Sequence, residues 1–324
     1  MESIVDIPME PGVLEKAGVL IEALGYIQRF NEKIVVVKLG GSFMDSRDEL
    51  GKVLTDIVFM QAVGMRPIVV HGGGKAITQA MNEAGLQARF VLGRRYTDER
   101  TLAIAERVLV NDINAFIVQS INKLGGKAMP LHSLGSAVLF AEKLHLSDTG
   151  NRRIDIGRVG QVTRANNELL LALTQSDFIP VIAPIALDAG GGKLNVNADT
   201  AAGCVAAACQ AEKLVLVSDT HGIRRRKDDP ASLLRSATRT QIEKLIAASQ
   251  VGEGMLPKVE ACFIALEGGV QKTHIIDGRF PHALLLEIYS DRGVGTEIVR
   301  DSGAPTRTRG SSRRGARGRA KDGS

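Results

Sequence analysis

The sequence lacks the features that direct a chain into a membrane or an oxidising compartment. Of 324 residues 44% are apolar, yet no apolar run approaches the roughly 18 residues that a membrane-spanning helix needs. Met1 to Glu10 carry three acids and no base, so the basic start of a secretory signal is missing. The three cysteines, Cys204, Cys209 and Cys262, have neither C-x-x-C nor zinc spacing. We therefore expect a cytoplasmic protein with reduced, buried thiols and no membrane contact.

The chain also has no charge imbalance once its last residues are set aside. The formal net charge is +5. Residues 301–324 hold seven cations against two acids, a surplus that accounts for the whole of it. This segment is rich in Gly, Ser and Arg with almost nothing apolar to bury, which predicts a disordered basic tail. Weak contact with RNA or with acidic partners is one interpretation. A solvated, dispensable tail is the better one, and we expect no nucleic-acid partner.

Two predicted strands end in glycine turns. Ile34-Val-Val-Val-Lys38 is a β-branched run typical of a strand buried on both faces, and it leads into Gly40-Gly41. The second run, 67–71, leads into the three glycines 72–74 and then a helix. Neither turn is a Walker A loop or a dinucleotide fingerprint. Because the carboxyl ends of parallel strands are ligand sites, two such turns with a lysine predict an anion site.

Predicted strands and helices alternate along the rest of the chain, which indicates an α/β protein with a mainly parallel sheet. A helix is predicted over 11–30, before the sheet; its apolar stripe either packs on its own domain or meets a partner chain. Thr97 is predicted to cap one long helix to about Leu124. Residues 127–164 are expected to form short β segments.

Five motifs then occur in a specific order. Together they resemble those of the acetylglutamate kinases, a branch of the amino acid kinase family, over about residues 14–300. The motifs are Val37-Lys-Leu-Gly-Gly41, Val70-His-Gly-Gly-Gly74, Gly93-Arg-Arg-Tyr-Thr-Asp98, Asn195-Val-Asn-Ala-Asp-Thr-Ala-Ala202 and Gly254-Met-Leu-Pro-Lys-Val259.

The resemblance implies a three-layer α/β/α sandwich around the sheet. It implies an N-terminal helix within 1–32 for oligomerisation, then a kinase domain over 33–300 and the tail 301–324. Within the kinase domain an N-lobe, about 33–185, would bind acetylglutamate, and a C-lobe, about 186–300, would bind ATP.

The implied reaction is ATP-dependent phosphorylation of the γ-carboxylate of N-acetyl-L-glutamate, an early step of arginine biosynthesis. By resemblance, Lys38 and Lys258 would stabilise the transferring phosphoryl group and Asp199 would orient the two lysines. The chemistry suits these residue types, because phosphoryl transfer depends mostly on positioning and charge stabilisation. A carboxylate with a pKa of about 4.3 is already ionised at neutral pH, so no general base is needed.

The resemblance also assigns the binding residues, and Mg²⁺ would arrive with ATP rather than at a metal site of the protein. Taken singly, Asp199 is equally compatible with a helix cap, and Arg95 and Lys258 with solvated surface residues. The substrate-binding set is Gly73, Gly74, Arg95 and Asn195, and the nucleotide-binding set is Gly40, Gly41, Asp219, Gly222 and Met255.

The N-terminal helix resembles the extension of arginine-inhibited members of the family, in which it joins dimers into a hexamer. The resemblance therefore implies a homohexamer with arginine as a feedback inhibitor. The inhibitor site would comprise Tyr26, His274, Glu287 and Gly293.

Two features depart from the family pattern. The usual Gly-Leu-(Ser/Thr)-Gly-Lys-Asp-Gly loop is replaced at 129–136, and the basic run 224–227 is unusual beside a nucleotide lobe, although we expect it to be solvated. Two alternatives stay open. One is a related kinase that acts on another acid, on carbamate or on UMP, and the other is a non-catalytic arginine-sensing or partner-binding protein.

Overall fold

The computed structural model describes residues 13–133, 135–147, 153–290 and 293–301. The expectations for residues 1–12 and for the tail after Asp301 concern parts outside these described residues. Among the described residues, no helix has both the length and the apolar character needed to cross a membrane.

Within the described ranges, fourteen strands form three sheets. The largest sheet has eight strands in the order β12-β14-β13-β11-β1-β2-β8-β5. The strands are β1 (Ile34–Leu39), β2 (Arg66–His71), β3 (Phe90–Val91), β4 (Arg94–Arg95), β5 (Ala128–Leu131), β6 (Leu139–Ser147), β7 (Arg153–Ala165), β8 (Ile179–Ile182), β9 (Ile185–Leu187), β10 (Lys193–Val196), β11 (Lys213–Ser218), β12 (Ser236–Thr238), β13 (Lys272–Asp277) and β14 (Thr296–Val299).

The large sheet is mainly parallel, as predicted. All neighbouring strands from β13 to β5 pair in parallel. β14 runs antiparallel to β13, and β12 pairs in parallel with β14. β1 lies near the middle, between β11 and β2, and Val35, Val36 and Val37 are fully buried. Burial on both faces explains the continuous β-branched run of β1.

In the part of the chain that the structure describes, ten α-helices surround the sheets. They are α1 (Val13–Phe30), α2 (Arg47–Ala62), α3 (Gly74–Glu83), α4 (Glu99–Glu106), α5 (Ala115–Lys123), α6 (Asn167–Gln175), α7 (Ala198–Ala208), α8 (Arg239–Ala247), α9 (Leu256–Glu267) and α10 (Ala283–Ile288). Val36 on one face of the sheet belongs to the core formed with α6, α7, α8 and α9. Val35 and Val37 on the other face belong to the core formed with α2, α5 and α10. This alternation produces the three-layer sandwich.

The predicted helix over 97–124 differs from the structure in two respects. Its cap is Asp98, whose carboxylate accepts a hydrogen bond from the Thr101 backbone N–H at 2.8 Å. Thr97 is fully buried and donates its own N–H to the carbonyl of Ile156, so the prediction of Thr97 as the cap is wrong. Between α4 and α5 the chain forms a π-helix, Arg107–Asn114, which the apolar pattern did not predict.

A small closed sheet of four strands, β10-β7-β6-β9, stands beside the large one. The prediction of short β segments over 127–164 is wrong in length, because β6 and β7 have 9 and 13 residues. β10 leads directly into α7, so this sheet determines where α7 begins. Within the altered segment 129–136, residues 129–131 belong to β5, and Ser136 Oγ donates to the carbonyl of His132 at 2.8 Å.

The helix predicted over 11–30 corresponds to α1. Its last residue, Phe30, is buried, but the apolar side chains in its middle are exposed: Val19 at 59%, Leu20 at 70% and Ile21 at 71%. Within the predicted stripe Leu20 and Leu24 are exposed and Ile27 is half-buried, so the alternative of packing on the same domain fails for Leu20 and Leu24 among the described residues.

Candidate active site

The two glycine turns lie side by side at the carboxyl edge of the large sheet. β1 and β2 are parallel neighbours, and the Gly72 backbone N–H donates to the carbonyl of Leu39 at 2.7 Å. Gly41 has a φ of 111°, a conformation that favours glycine. The second turn continues into α3, whose first residue is Gly74. Backbone N–H groups of a helix N-terminus therefore face the same edge as the first turn.

Lys38 and Asp199 form a buried ion pair between the turns and α7. Lys38 Nζ lies 2.7 Å from Asp199 Oδ1, and the two side chains are 7% and 9% exposed. The lysine passes so close to Gly40 that a β-carbon there would lie 2.0 Å from Nζ. The cap of α7 is Asn197, whose Oδ1 accepts from the N–H groups of residues 199 and 200. The interpretation of Asp199 as a helix cap is therefore wrong.

Lys258 joins this pair electrostatically. It lies in the first turn of α9, and its Nζ donates to the carbonyl of Gly254 at 3.2 Å. Burial acts to raise the pKa of Asp199, but the charges of Lys38 and Lys258 outweigh it and the pKa lies below its usual range. Burial and the charge of Lys38 lower the pKa of Lys258, while Asp199 opposes them. Two cations and one carboxylate thus lie close enough to act on one another's pKa.

Close packing of α7 on α9 brings these charges together. A β-carbon at Gly203 would lie 2.6 Å from the carbonyl oxygen of Ala261, and one at Gly268 would lie 2.2 Å from Ala207 Cβ. Small residues on both helices permit this approach. Because Asp199 lies in the first turn of α7 and Lys258 in the first turn of α9, the helix contact holds the carboxylate near the second lysine.

The residues predicted for the nucleotide divide into two groups. Asp219 follows β11, and its Oδ2 accepts from both the N–H and Oγ of Ser42 at 3.1 Å. Gly41 faces Asp219 directly, since a β-carbon there would lie 2.9 Å from the Asp219 nitrogen. Gly40, Gly41 and Asp219 therefore adjoin Lys38.

The other predicted nucleotide residues are further along the chain. Gly222 has a φ of 129° and packs against Thr296, with a β-carbon position 2.3 Å from Thr296 Oγ1. This contact accounts for the glycine without any ligand. Met255 precedes α9 as its cap residue and packs partly against the core.

The residues predicted for the acceptor substrate lie around α3 and β4. Arg95 Nη2 donates to the carbonyl of Gly74 and to Thr78 Oγ1, both at 2.7 Å, and its guanidinium lies 4.8 Å from the centre of the Phe90 ring. The side chain is half-buried, so the interpretation of Arg95 as a solvated surface residue is wrong. Arg95 and Gly74 line a cleft of about 640 Å³ together with Phe90.

Gly73 and Asn195 are connected to residues that line this cleft, Gly73 through the chain to Gly74 and Asn195 through Thr97 to Arg95. A β-carbon at Gly73 would lie 2.6 Å from Ile113 Cδ1, so the turn is pressed against the π-helix. Asn195 on β10 donates from Nδ2 to Thr97 Oγ1 at 3.2 Å, and Thr97 Oγ1 donates to the carbonyl of Arg95 at 3.0 Å. A hydrogen-bonded chain thus connects Asn195 to Arg95.

Sequence reasoning missed a buried histidine that supports the second turn. His71 is fully buried, its Nδ1 lies 3.0 Å from the carbonyl of Gly72, and its Nε2 accepts from Asn114 Nδ2 at 3.1 Å. Burial lowers the pKa of His71 to about 4, so the ring is neutral at neutral pH. Asn114 also donates to the carbonyl of Val181. Because its position depends on the π-helix, no simple periodicity identifies Asn114.

The cysteines take no part in this site. All three are free, and Cys209 and Cys262 are buried. Burial raises the pKa of Cys204 to about 11 and those of Cys209 and Cys262 to about 12. These thiols are therefore poor nucleophiles at neutral pH. Within the described ranges, no group of three or more His, Cys, Asp or Glu side chains is placed to hold a metal ion.

Three of the four residues predicted for an inhibitor, His274, Glu287 and Gly293, form a second cluster, and the fourth, Tyr26, lies on α1. His274 Nδ1 lies 2.7 Å from Glu287 Oε1, and Glu287 Oε2 accepts the N–H of Val294 at 2.6 Å. A β-carbon at Gly293 would lie 2.8 Å from the same oxygen. Tyr26 approaches through an edge-to-face contact with Tyr289, with ring centres 6.2 Å apart.

Lys213 belongs to the second cluster and was not predicted. It starts β11, is 8% exposed and lies 5.0 Å from the Phe30 ring centre. Burial lowers the pKa of Lys213, and so does the nearby Lys272, whereas Glu287 opposes them. The Nε2 atom of His274 is buried without a hydrogen-bond partner among the described residues. A buried lysine at the start of a strand gives no distinctive sequence signal.

A parallel sheet whose carboxyl edge gathers two glycine turns and two lysines around one aspartate is suited to a phosphate-bearing ligand. The model of the amino acid kinase family matches residues 33–277. The chain therefore belongs to the amino acid kinase family, and its predicted class, a kinase, is confirmed.

Curated relatives sharpen the comparison, and the resemblance to acetylglutamate kinases is confirmed. The acetylglutamate kinase of Symbiobacterium thermophilum is 46% identical over 293 residues, which cover 90% of this chain and 100% of that protein. The enzyme of Methanothrix thermoacetophila is 44% identical over 88% of this chain and 99% of its own length.

Solved structures share the fold. The N-acetylglutamate synthase of Neisseria gonorrhoeae, in complex with coenzyme A and N-acetyl-glutamate, superposes with a TM-score of 0.77 at 23% identity. The match covers 88% of this chain and 64% of the synthase. Carbamate kinase from Giardia lamblia superposes with a TM-score of 0.59 at 14% identity, over 83% of this chain and 99% of that one.

Proposed function

We propose that this chain transfers the terminal phosphoryl group of ATP to the γ-carboxylate of N-acetyl-L-glutamate, giving N-acetyl-L-glutamyl 5-phosphate and ADP in arginine biosynthesis. The observation that carries the proposal is the cluster of Lys38, Asp199 and Lys258 beside two glycine turns. The names of the curated relatives support the choice of acceptor. The free cysteines accord with a cytoplasmic reaction.

The mechanism needs charge stabilisation rather than proton transfer. The acceptor carboxylate is ionised at neutral pH and attacks the γ-phosphorus directly. Lys38 and Lys258 approach the charge that develops on the phosphoryl oxygens, and the carboxylate of Asp199 offsets the repulsion between the two cations. Both lysines are held before the reaction, since Lys38 is fixed by its 2.7 Å ion pair and Lys258 by the first turn of α9.

The remaining residues position the two substrates in this proposal. Arg95 offers a planar fork to the α-carboxylate of the acceptor, while Asn195 faces its acetamido group. The N–H groups of the Gly73 and Gly74 turn face the acceptor. The nucleotide occupies the neighbouring strand ends, along Gly40, Gly41, Asp219, Gly222 and Met255. Mg²⁺ would accompany ATP and neutralise part of its phosphate charge, and it would need few ligands from the protein.

The test is ATP consumption by the purified protein with acetylglutamate as acceptor. We expect ADP release that depends on acetylglutamate and is absent with glutamate, carbamate or UMP. Replacing Lys38 by Met should lower kcat by about 10²–10³-fold, since one preorganised donor is lost. Lys127→Met is the matched control, because Lys127 Nζ forms an exposed pair with Asp177 away from the turns. ADP release with carbamate or UMP instead, or an unchanged rate in Lys38→Met, would overturn the proposal.

We further propose that arginine inhibits the enzyme and that α1 assembles a homohexamer. The exposed residues Val19, Leu20 and Ile21 support an intermolecular contact along α1. The cluster of His274, Glu287 and Lys213 supports a polar ligand beside this helix. Deletion of residues 1–30 should reduce the assembly, measured by light scattering, and weaken inhibition by arginine. A truncated protein that keeps the same number of subunits and the same inhibition by arginine would contradict both statements.

A further inference from the structure

Arg94 connects two elements of the site. It precedes Arg95, the arginine proposed to bind the acceptor substrate. It lies on β4 in the hairpin with β3, opposite Val91. Its Nη2 donates to Glu260 Oε2 at 3.2 Å, across 166 positions of sequence. Glu260 lies on α9, two residues after Lys258. One ion pair therefore joins the hairpin that carries Arg95 to the helix that carries Lys258.

Neighbouring residues of a strand point to opposite sides, and this places the two arginines on different partners. Arg95 bonds to α3 through Gly74 and Thr78, whereas Arg94 bonds to α9 through Glu260. The hairpin is thus attached on one side to the second glycine turn and on the other to the helix of the second lysine.

The hairpin needs such attachments because it is small. β3 and β4 have two residues each, and Phe90 and Leu92 are 58% and 68% exposed. An isolated two-stranded hairpin has marginal stability in water. Arg94 is also close enough to the reacting groups for its charge to act on Asp199, where it joins the two lysines in lowering a pKa that burial tends to raise.

We propose that Arg94 is a positioning residue: its pair with Glu260 holds the β3–β4 hairpin against α9, so that Arg95 and Lys258 act on the same pair of substrates. This inference rests on the proposed function for its kinetic consequences. The pair is not a source of folding stability, because side chains that are 22% and 47% exposed form an ion pair worth only about 0–1 kcal/mol.

The kinetic test is a charge exchange. In Arg94→Glu and in Glu260→Arg, like charges face each other and the hairpin separates from α9. Each variant should raise the KM for acetylglutamate three- to tenfold and lower kcat, with the melting temperature unchanged within about 2 °C. The double variant Arg94→Glu/Glu260→Arg should return within about twofold of the parent, and Arg94→Lys should stay within about threefold. Parent kinetics in both single variants, or a double variant as impaired as either single one, would overturn the proposal.

A second readout does not depend on activity. Hydrogen–deuterium exchange of residues 89–96 reports the opening of the hairpin in each variant. Exchange should be faster in the single variants and return to the parent rate in the double variant. If the parent showed no acetylglutamate-dependent ATP consumption, the proposed function would fail and exchange alone would decide the role of Arg94. Equal exchange rates in the parent and in the single variants would then overturn the positioning role of Arg94.

Discussion

Removing the charge of Asp199 tests the core of the site. Asp199→Asn keeps the size of the side chain but leaves Lys38 and Lys258 without the carboxylate between them. In the parent, Lys38 and Asp199 are 2.7 Å apart and less than one-tenth exposed, so little solvent screens the change. The two ammonium groups then repel, and at least one leaves its position. Loss of one preorganised donor costs roughly 3–4 kcal/mol of barrier, so kcat at neutral pH should fall by about 10²–10³-fold.

The pH dependence of the same variant is a sharper measurement. Burial and Lys38 already lower the pKa of Lys258, and Asp199 is the charge that opposes them most. Without it, the pKa of Lys258 falls further. A lysine is charged below its pKa, so a lower pKa means that the charge is lost at lower pH. The alkaline limb of kcat should therefore move to lower pH in Asp199→Asn than in the parent.

The assay is kcat by coupled ADP release between pH 6 and pH 10. Thermal melts run alongside it, because breaking a buried pair costs about 3 kcal/mol, which corresponds to about 5 °C in a chain of this size. Asp48→Asn is the control: Asp48 pairs with Lys52 on α2 and is 78% exposed, so its loss should change neither rate nor profile. An Asp199→Asn protein with the parent kcat and an unmoved alkaline limb would refute the reasoning.

Three further substitutions test the packing, the buried histidine and the substrate fork. Gly203→Ala places a methyl group 2.6 Å from the carbonyl oxygen of Ala261. Urea unfolding should show that the free energy of unfolding falls by about 1–3 kcal/mol, and kcat should fall as well. Gly18→Ala is the control, because open space surrounds Gly18 and the methyl group should not destabilise the protein. The pKa of His71 is about 4 instead of 6.5, so the free energy of unfolding should decline by about 3 kcal/mol as pH falls from 6.5 to 4. Urea unfolding at pH 7 and 4.5 should show a smaller decline in His71→Gln than in the parent. An equal decline in the two proteins would contradict the low pKa of His71. Arg95→Lys should raise the KM for acetylglutamate about tenfold or more with little change in the KM for ATP, and an unchanged KM for acetylglutamate would exclude the fork.

Local patterns of the sequence determined the elements that begin the site. The β-branched run of β1, the position of Lys38 near its end and the two glycine turns are readable because a buried parallel strand needs a continuous apolar run. The alternation of strands and helices determined the mainly parallel sheet. The position of Asp199 at the start of a small-residue helix was readable as well, although its partner was not, since a cap and an ion pair have the same local sequence.

Only the tertiary structure decided which distant residues meet. The pairing of Arg94 with Glu260 spans 166 positions, and the contact of Asn114 with His71 depends on a π-helix that shifts the register of side chains. The closure of the four-stranded sheet was likewise not predicted, because it depends on the pairs β7–β10 and β6–β9, whose strands are not consecutive in the chain. Periodicity reports which face of an element is apolar, but the partner of that face follows from packing of the whole chain. For this reason the charges of the site were identified from sequence, while their geometry was not.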